Sequence, residues 1–155
     1  MARPIELAKL SGAGNDFVLV EGPLPAARAR ALARRLCPRR AGVGADGLLV
    51  AERRRVEHYN GDGSRAFCGN GARCAAWWLV KKGWAKRRFG FSLSGVPLSA
   101  IVGKTAARLS MPDAAPPRSF DLVAAGRRLR GVFLDTGVPH AVVKAAHGLD
   151  QRHGK

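Results

Sequence analysis

One apolar helix pattern, over about residues 70–82, constrains the fold of this chain more than any other feature. Its apolar positions recur at helical spacing and are mostly small side chains, namely Ala72, Ala75, Ala76, Leu79 and Val80. Gly83 follows them and predicts the end of the helix, since glycine commonly occupies the position just past one. An apolar face of this kind predicts a central, largely buried helix.

Short strand patterns fill most of the remaining sequence. We predict strands at residues 5–10, 17–20, 48–52, 56–59, 89–93, 96–102, 105–111, 120–124, 129–135 and 141–143. A second helix is predicted over residues 25–36, with a proline near its first turn and leucines on one face. Turn-forming residues at 11–16 and the N-G-D-G run at 60–63 separate neighbouring strands. The predicted fold class is α+β.

Repeated proline marks a boundary late in the chain. The run P-D-A-A-P-P-R at residues 112–118 breaks both helix and sheet. We therefore predict a first domain over residues 1–112, a linker over 113–118 and the start of a second domain over 119–155. Two or three strands in this last part are too few for an independent core, so we expect the second domain to be truncated.

Composition is typical of a globular protein in a reducing compartment. The 155 residues are 46% hydrophobic and 25% charged. No apolar run approaches the roughly 20 residues of a membrane span, and no apolar signal core follows the first residues. We therefore expect a cytoplasmic protein without a membrane partner. The three cysteines fit free thiols better than a disulfide framework, and no Cys/His set has zinc spacing, so no metal is expected.

The charge balance is strongly basic, with 27 Lys and Arg against 11 Asp and Glu and a net charge of +16. Such a charge raises the hypothesis of nucleic-acid binding. The basic residues are spread through every segment, however, and their clusters lack the interleaved aromatic residues that stack bases. We attribute the charge to a compositional bias and expect no specific nucleic-acid partner.

A thiol stands at the start of the central helix, in the run F-C-G-N-G-A-R-C at residues 67–74. Unpaired backbone N–H groups and the helix dipole favour negative charge there, both on a thiol and on a substrate carboxylate. The neighbouring glycines, Gly69 and Gly71, let a ligand approach the backbone closely. Taken alone, the run is also typical of a small buried cysteine beside a glycine-rich turn.

The other two cysteines are poorer candidates for chemistry. Cys74 lies six residues beyond Cys68, which on a helix turns it about 240° away. Cys37 belongs to a Cys-Pro helix end without anion-binding surroundings. Cys68 is therefore the candidate catalytic thiol.

Five blocks of sequence together carry a resemblance. They are G-A-G-N-D-F at 12–17, G-V-G-A-D-G at 42–47, N-G-D-G-S at 60–64, C-G-N-G-A-R-C at 68–74 and T-G-V-P-H at 136–140. In this order and spacing the chain resembles the diaminopimelate epimerases. The resemblance implies two similar domains, each with strands wrapped around a central helix, and an active site in the cleft between them.

The activity implied by the resemblance is inversion at an amino-acid α-carbon, from LL- to meso-diaminopimelate, on the route to lysine and cell wall. It implies no cofactor, a small amino-acid substrate and, for the full-length family, a homodimer as one option. The resemblance further implies that one cysteine from each domain faces the α-carbon from opposite sides, one removing a proton as thiolate and the other delivering one as thiol. A thiol suits both tasks, because each protonation state is useful near neutral pH.

By motif match, Cys68 is the catalytic thiol of this half. The resemblance implies that Asn15 and Asn60 grip substrate through their amides, although both also fit ordinary turn chemistry. It implies that backbone N–H groups of Gly69, Asn70 and Gly71 bind the carboxylate and stabilise the carbanion. His140 matches a histidine thought to tune the thiols. Asp46, Asp62 and Arg73 are expected to be structural.

Three departures from the family pattern bear on these expectations. Val138 stands where many members have an asparagine ligand, and Gly47 stands where some carry a glutamine. The second C-G-[ST]-G thiol block is not found before Lys155. We therefore expect this chain alone to be inactive. Two alternatives remain: an amino-acid racemase of the same fold, acting for example on proline, and a non-catalytic basic remnant.

Overall fold

Residues 5–124 and 126–143, which the computed structural model describes, form ten strands and two helices. The chain divides into two compact units, Met1–Met111 and Pro112–Lys155. Residues 1–4, 125 and 144–155 of the predicted domains lie outside the described residues. Within the described ranges, neither helix is long and apolar enough to cross a membrane.

The first unit is a seven-stranded sheet with two helices, and its strands lie in sequence order across the sheet. This arrangement confirms the α+β class and both predicted helices. The elements are β1 Leu7–Gly12, β2 Asn15–Glu21, α1 Ala26–Leu36, β3 Gly47–Glu52, β4 Arg55–Asn60, α2 Gly69–Lys81, β5 Arg88–Leu93, β6 Val96–Val102 and β7 Ala107–Ser110.

Each helix connects two parallel strands, and the remaining pairs are antiparallel. Helix α1 joins β2 to its parallel neighbour β3, and α2 joins β4 to its parallel neighbour β5. Strands β3 and β4 are antiparallel, so β2 and β4 run in opposite directions. Right-handed crossovers from oppositely directed strands put their helices on opposite faces of the sheet. Helix α1 accordingly packs on one face of β3 and β4, and α2 on the other.

The two helices give the sheet two apolar faces in its first half. Strands β2 and β3 are covered on both sides, which explains the continuous buried runs at 17–20 and 47–51. Strands β5 and β6 alternate between buried and more exposed residues, because only one of their faces is covered. The larger core, on the α2 side, contains residues from both halves of the sheet.

Helix α2 lies at the centre of this core. It contacts both edge strands, β1 and β7, as well as β2, β3 and β6, so the sheet curls around it. Ala72, Ala75, Ala76 and Leu79 are fully buried, as predicted for a central helix. The helix and sheet also come close at Gly71, where an added Cβ would lie 3.4 Å from both Phe17 and Leu49. The small side chains let the sheet come this near.

Most strand boundaries differ from those predicted by one or two residues, and two of the differences have a clear local cause. The first hairpin turns only at Ala13 and Gly14, both at positive φ (51° and 88°), so Asn15 begins β2 instead of lying in a turn. Strand β7 starts at Ala107, two residues later than predicted, because the N–H of Gly103 bonds to the carbonyl of Ala106 and closes a turn.

The second unit contains a three-stranded antiparallel sheet in the order β10–β9–β8. Its strands are β8 Arg118–Ala124, β9 Arg127–Asp135 and β10 Pro139–Val143. Strand β8 begins at the last residue of the predicted linker. None of the residues described here in this unit is fully buried, although Phe120, Leu129 and Phe133 share one apolar face.

We expect replacement of Ala75 by leucine to destabilise the fold, because there is no room for a larger side chain between α2 and the sheet. Overpacking of this kind costs about 1–3 kcal/mol in the free energy of unfolding. The matched control is Ala31→Leu on the exposed side of α1, expected to stay within about 0.5 kcal/mol. Urea unfolding of both variants measures the difference, and equal effects would contradict the packing described for α2.

Candidate active site

The predicted site motifs meet at one end of the seven-stranded sheet. Asn15 begins β2, Gly47 begins β3 and Asn60 ends β4. Pairing aligns Phe17 with Gly47 and Gly47 with Asn60, which places the three motifs side by side. Helix α2 begins at the same end, since a Cβ added to Gly12, the last residue of β1, would lie 3.5 Å from the carbonyl oxygen of Asn70.

Cys68 is the N-cap residue of α2. Its backbone is extended (φ −146°, ψ 111°), and its carbonyl accepts the first helical hydrogen bond, from the N–H of Ala72 at 2.8 Å. Its sulfur accepts from the N–H of Gly71 at 3.4 Å. The side chain is half-buried. The thiol thus takes the place of the side-chain oxygen that usually caps a helix.

Two backbone donors remain beside this thiol. The first N–H groups of a helix have no partner within it. Here the N–H of Gly71 is bound to the sulfur, so it is not free as expected from the sequence. In residues 5–124 and 126–143 the N–H groups of Gly69 and Asn70 have no acceptor. Two adjacent donors of this kind at the start of a helix are suited to binding an anion next to Cys68.

The side chain of Asn15, a predicted substrate amide, contacts the side chain of Asn70, a residue predicted to act through its backbone N–H. The Nδ2 of Asn70 donates to the Oδ1 of Asn15 at 2.6 Å, and the Nδ2 of Asn15 donates to Asp46 at 3.0 Å. At the other end, Arg73 donates to the Oδ1 of Asn70. A carboxylate only accepts and a guanidinium only donates, so the charged ends fix both amide orientations. Each amide keeps one N–H outside this chain of bonds.

A cluster of charged residues holds Asp46 in place. Arg39 contacts Asp16 through two hydrogen bonds (2.8 and 3.1 Å) and Asp46 through one (2.7 Å). Lys9 pairs with Asp16 at 2.8 Å, and the N–H of Asp46 bonds to the carbonyl of Asp16 at 2.9 Å. The Arg39 guanidinium, with Lys9, holds the pKa of the Asp16 carboxyl well below its usual range. These contacts fit the structural role expected of Asp46.

Asn60 is engaged within its own turn. Its Nδ2 donates to the hydroxyl of Ser64 at 2.9 Å. The Asp62 carboxylate accepts from the Ser64 hydroxyl and N–H, at 2.6 and 2.7 Å, and these bonds lower the pKa of Asp62. Arg34 donates to the carbonyl of Asp62 at 2.7 Å. Asn60 therefore lies at the same end of the sheet as Asn15, with no direct bond to it.

The other two thiols are enclosed in the protein interior. Cys37 is 4% exposed and Cys74 is 6% exposed, and burial raises the pKa of both. The Cys74 sulfur lies 2.7 Å from where a Cβ on Gly12 would be, so β1 covers it. A cavity of about 560 Å³ beside it opens between β1, α2 and the start of β7, without contact to Cys68; its lining includes Lys9, Arg73, Trp77 and Thr105.

His140, the predicted thiol-tuning residue, lies in β10 of the second unit. It is exposed, and its Nδ1 is 2.7 Å from the carbonyl oxygen of Val138. The Thr136 hydroxyl lies 3.4 Å from the same nitrogen. The ring is thus held by its own turn.

A histidine that the sequence analysis did not select, His58, lies inside the core near the site. It is 3% exposed and is the one buried polar residue in the described part of the chain. Its Nδ1 is 3.1 Å from the carbonyl oxygen of Ala66, two residues before Cys68. Burial lowers the pKa of His58, so its ring is neutral at physiological pH. The sequence signal that could have predicted its burial was its place in the strand, on the same face as the apolar residue Val56.

The fold is shared with a solved structure of a probable racemase. A probable proline racemase from Agrobacterium radiobacter aligns with a TM-score of 0.64 at 16% identity, covering 90% of this chain and 52% of that one. At this identity the likeness shows the fold alone. It defines the class as α+β proteins with strands curled around a central helix.

Sequence comparison identifies the family within this class. The model of the diaminopimelate epimerase family matches residues 7–112. The enzyme of Moorella thermoacetica is 37% identical over 88% of this chain and 45% of the relative. That of a Nitratiruptor species is 37% identical over 97% of this chain and 62% of the relative. The chain belongs to the diaminopimelate epimerase family, whose members are isomerases, and spans about half the length of these relatives.

We expect Cys68 to be the most reactive of the three thiols near neutral pH. It is half-buried at a helix N-terminus, whereas Cys37 and Cys74 are enclosed and burial raises their pKa values. Competitive alkylation with iodoacetamide, mapped by mass spectrometry, gives the three rates in one sample. Faster labelling of Cys37 or Cys74 in the folded chain would contradict this placement of the anion-binding position.

We also expect the folded state to lose stability as the pH falls below about 6.5, the ordinary pKa of histidine. Because the folded pKa of His58 is lowered, the unfolded chain binds the proton more readily. The contribution is therefore complete above pH 6.5 and declines below it, by up to about 1.4 kcal/mol per pH unit.

Urea unfolding at pH 7 and pH 5 measures this loss. The His58→Leu variant should show a smaller decrease than the wild type, and His140→Gln, at an exposed histidine, should match the wild type. An unchanged pH dependence in His58→Leu would mean that His58 does not titrate as described.

Proposed function

We propose that this chain contributes one of the two catalytic thiols to a cofactor-independent epimerisation of diaminopimelate, in the biosynthesis of lysine and cell-wall precursors. The observation that carries the proposal is the capping position of Cys68. The helix start that it caps also carries two N–H groups without an acceptor among the described residues, those of Gly69 and Asn70, and the Asn70 amide that is bonded to Asn15. Thiol, anion-binding donors and amides thus converge at one helix terminus.

In the proposed reaction the Cys68 thiolate removes the α-proton of the substrate. The C–H bond breaks, an S–H bond forms, and the electron pair passes to the α-carbon and its carboxylate. The N–H groups of Gly69 and Asn70 stabilise that negative charge, as fixed donors do in an oxyanion hole. The free amide hydrogens of Asn15 and Asn70 orient the substrate. In the reverse direction Cys68, as thiol, returns the proton to the same face.

Inversion requires a second acid on the opposite face of the α-carbon. Neither Cys37 nor Cys74 can supply it, because both are buried. We therefore propose that the 155 residues alone neither invert diaminopimelate nor exchange its α-proton at an enzymic rate. The half-exposed thiol leaves water near the developing carbanion, which weakens the electrostatic contacts that make it accessible.

Deuterium incorporation at the α-carbon in heavy water tests the proposal. We expect none above background with the chain alone. Adding the C-terminal part of the Nitratiruptor relative, expressed separately, should restore exchange and inversion if the two parts associate. The Cys68→Ala chain is the control and should remain inactive under the same conditions.

Three results would overturn parts of this proposal. Inversion by the chain alone that depends on Cys68 would reveal a second acid within it. Restored activity with Cys68→Ala would remove Cys68 from the mechanism. Exchange of proline, tested as a parallel substrate, in preference to diaminopimelate would favour the racemase alternative.

A further inference from the structure

His58 and Gly47 occupy one volume between β3 and β4. Their strands are paired, and both residues lie on the face that packs against α2. An ideal Cβ on Gly47 would lie 2.4 Å from the Nε2 of His58 and 3.1 Å from its Cδ2. No real side chain tolerates the shorter distance. The imidazole therefore fills the space that a side chain at residue 47 would take.

The hydrogen bonds of His58 define its tautomer. The carbonyl oxygen of Ala66 only accepts, so the Nδ1 of His58, 3.1 Å away, carries the proton. The Nε2 is then a bare acceptor, and within the described residues it has no hydrogen-bond partner. A buried polar atom without a partner costs stability and calls for an explanation. The α-carbon of Gly47 covers it.

The same histidine holds the segment that leads to the thiol. The Ala66 N–H donates to the His58 carbonyl at 3.3 Å, while the Ala66 carbonyl accepts from the His58 ring. Both the N–H and the carbonyl of Ala66 are thus hydrogen-bonded to His58, two residues before Cys68. The His58 ring also meets the edge of Phe17, with ring centroids 5.7 Å apart. Phe17 in turn lies directly beneath Gly71.

We propose that His58 is a positioning residue for Cys68, fixing the start of α2 through Ala66, and that Gly47 is the complementary position that gives its ring room. The inference rests on the proposed function only in taking Cys68 as the reacting thiol. His58 does not touch substrate and acts through the backbone before Cys68. A larger side chain at residue 47 therefore requires a smaller one at residue 58.

Substitution of His58 separates positioning from packing. His58→Leu keeps an apolar side chain of similar size and removes the donor to Ala66. His58→Asn keeps a donor near the place of Nδ1 and lacks the atoms of the outer ring. We expect the alkylation rate of Cys68 at pH 7.5 to fall about threefold or more in His58→Leu, the scale of losing one N-cap contact. In His58→Asn most of the rate should return.

Substitution of Gly47 tests the shared volume independently of thiol chemistry. Gly47→Ala should lower the urea midpoint of the wild-type chain, because its Cβ meets the imidazole. The same change in His58→Asn should cost less, with a remainder due to the Tyr59 carbonyl oxygen at 3.0 Å. Gly90→Ala is the matched control on β5, where the nearest atom is 3.7 Å from the new Cβ. Its cost should be the same in both backgrounds.

The outcomes distinguish this inference from the proposed function. If Cys68 is not the most reactive thiol of the wild-type chain, the assignment of the catalytic thiol fails. If Cys68 is reactive but alkylates at the wild-type rate or faster in His58→Leu, the positioning role fails alone. Equal costs of Gly47→Ala in the wild-type and His58→Asn backgrounds would overturn the shared volume. Should His58→Leu not fold, His58→Ala, which also lacks the donor to Ala66, takes its place: a Cys68 alkylation rate no lower than in His58→Asn would overturn the positioning role.

Discussion

The close approach of the sheet to helix α2 is the constraint on which the rest of the first unit depends. Alanine and glycine on the buried face of α2 let strands from both edges of the sheet reach it. This contact fixes how far the helix extends along the strands, and so places its first residue at the sheet end where β2 and β3 begin and β4 ends. The position of Cys68 is thus a consequence of core packing. A thiol at the end of a loosely packed helix would have no defined relation to the amides beside it.

Charged side chains fix the orientation of the two amides in the site. The amide of an asparagine can present either its oxygen or its nitrogen, and a pair of amides alone has two arrangements of similar energy. Asp46 at one end and Arg73 at the other permit one of them. Arg39 binds Asp46 and Asp16 together, which keeps the terminal acceptor in place. The polar network therefore specifies which hydrogens the two amides leave free, and its own contribution to stability at this partly exposed position is small.

The sequence predicted the elements well because their signals are local. Both helices and the strands follow from periodicity and turn residues, and the capping position of Cys68 follows from its place before a helix. The bonds from Asn15 to Asn70 and to Asp46 join residues 55 and 31 positions apart, and no local pattern encodes them. The place of Asn15 was missed because the hairpin turns at two residues instead of six. His58 was missed because a single histidine in a strand pattern gives no sign of its surroundings. These are the carbonyl of Ala66 and the space that the missing side chain of Gly47 leaves for the ring.

The residues proposed to meet a ligand and those proposed to hold them in place differ in their surroundings. Cys68 and the N–H groups of Gly69 and Asn70 are half-buried and keep unused hydrogen-bonding capacity. His58, Phe17 and Gly71 lie beneath them in the core, where a change of a single atom is felt. Changes in the first group should alter reactivity with little effect on folding, and changes in the second should alter both. The Nε2 of His58, which has no partner among the residues that the structure describes, is an exception within the buried group, because it is a polar atom at a place where a carbon would pack as well. The other ring nitrogen explains why a polar ring lies here. Its hydrogen bond to Ala66 needs a donor at that place, which an imidazole supplies.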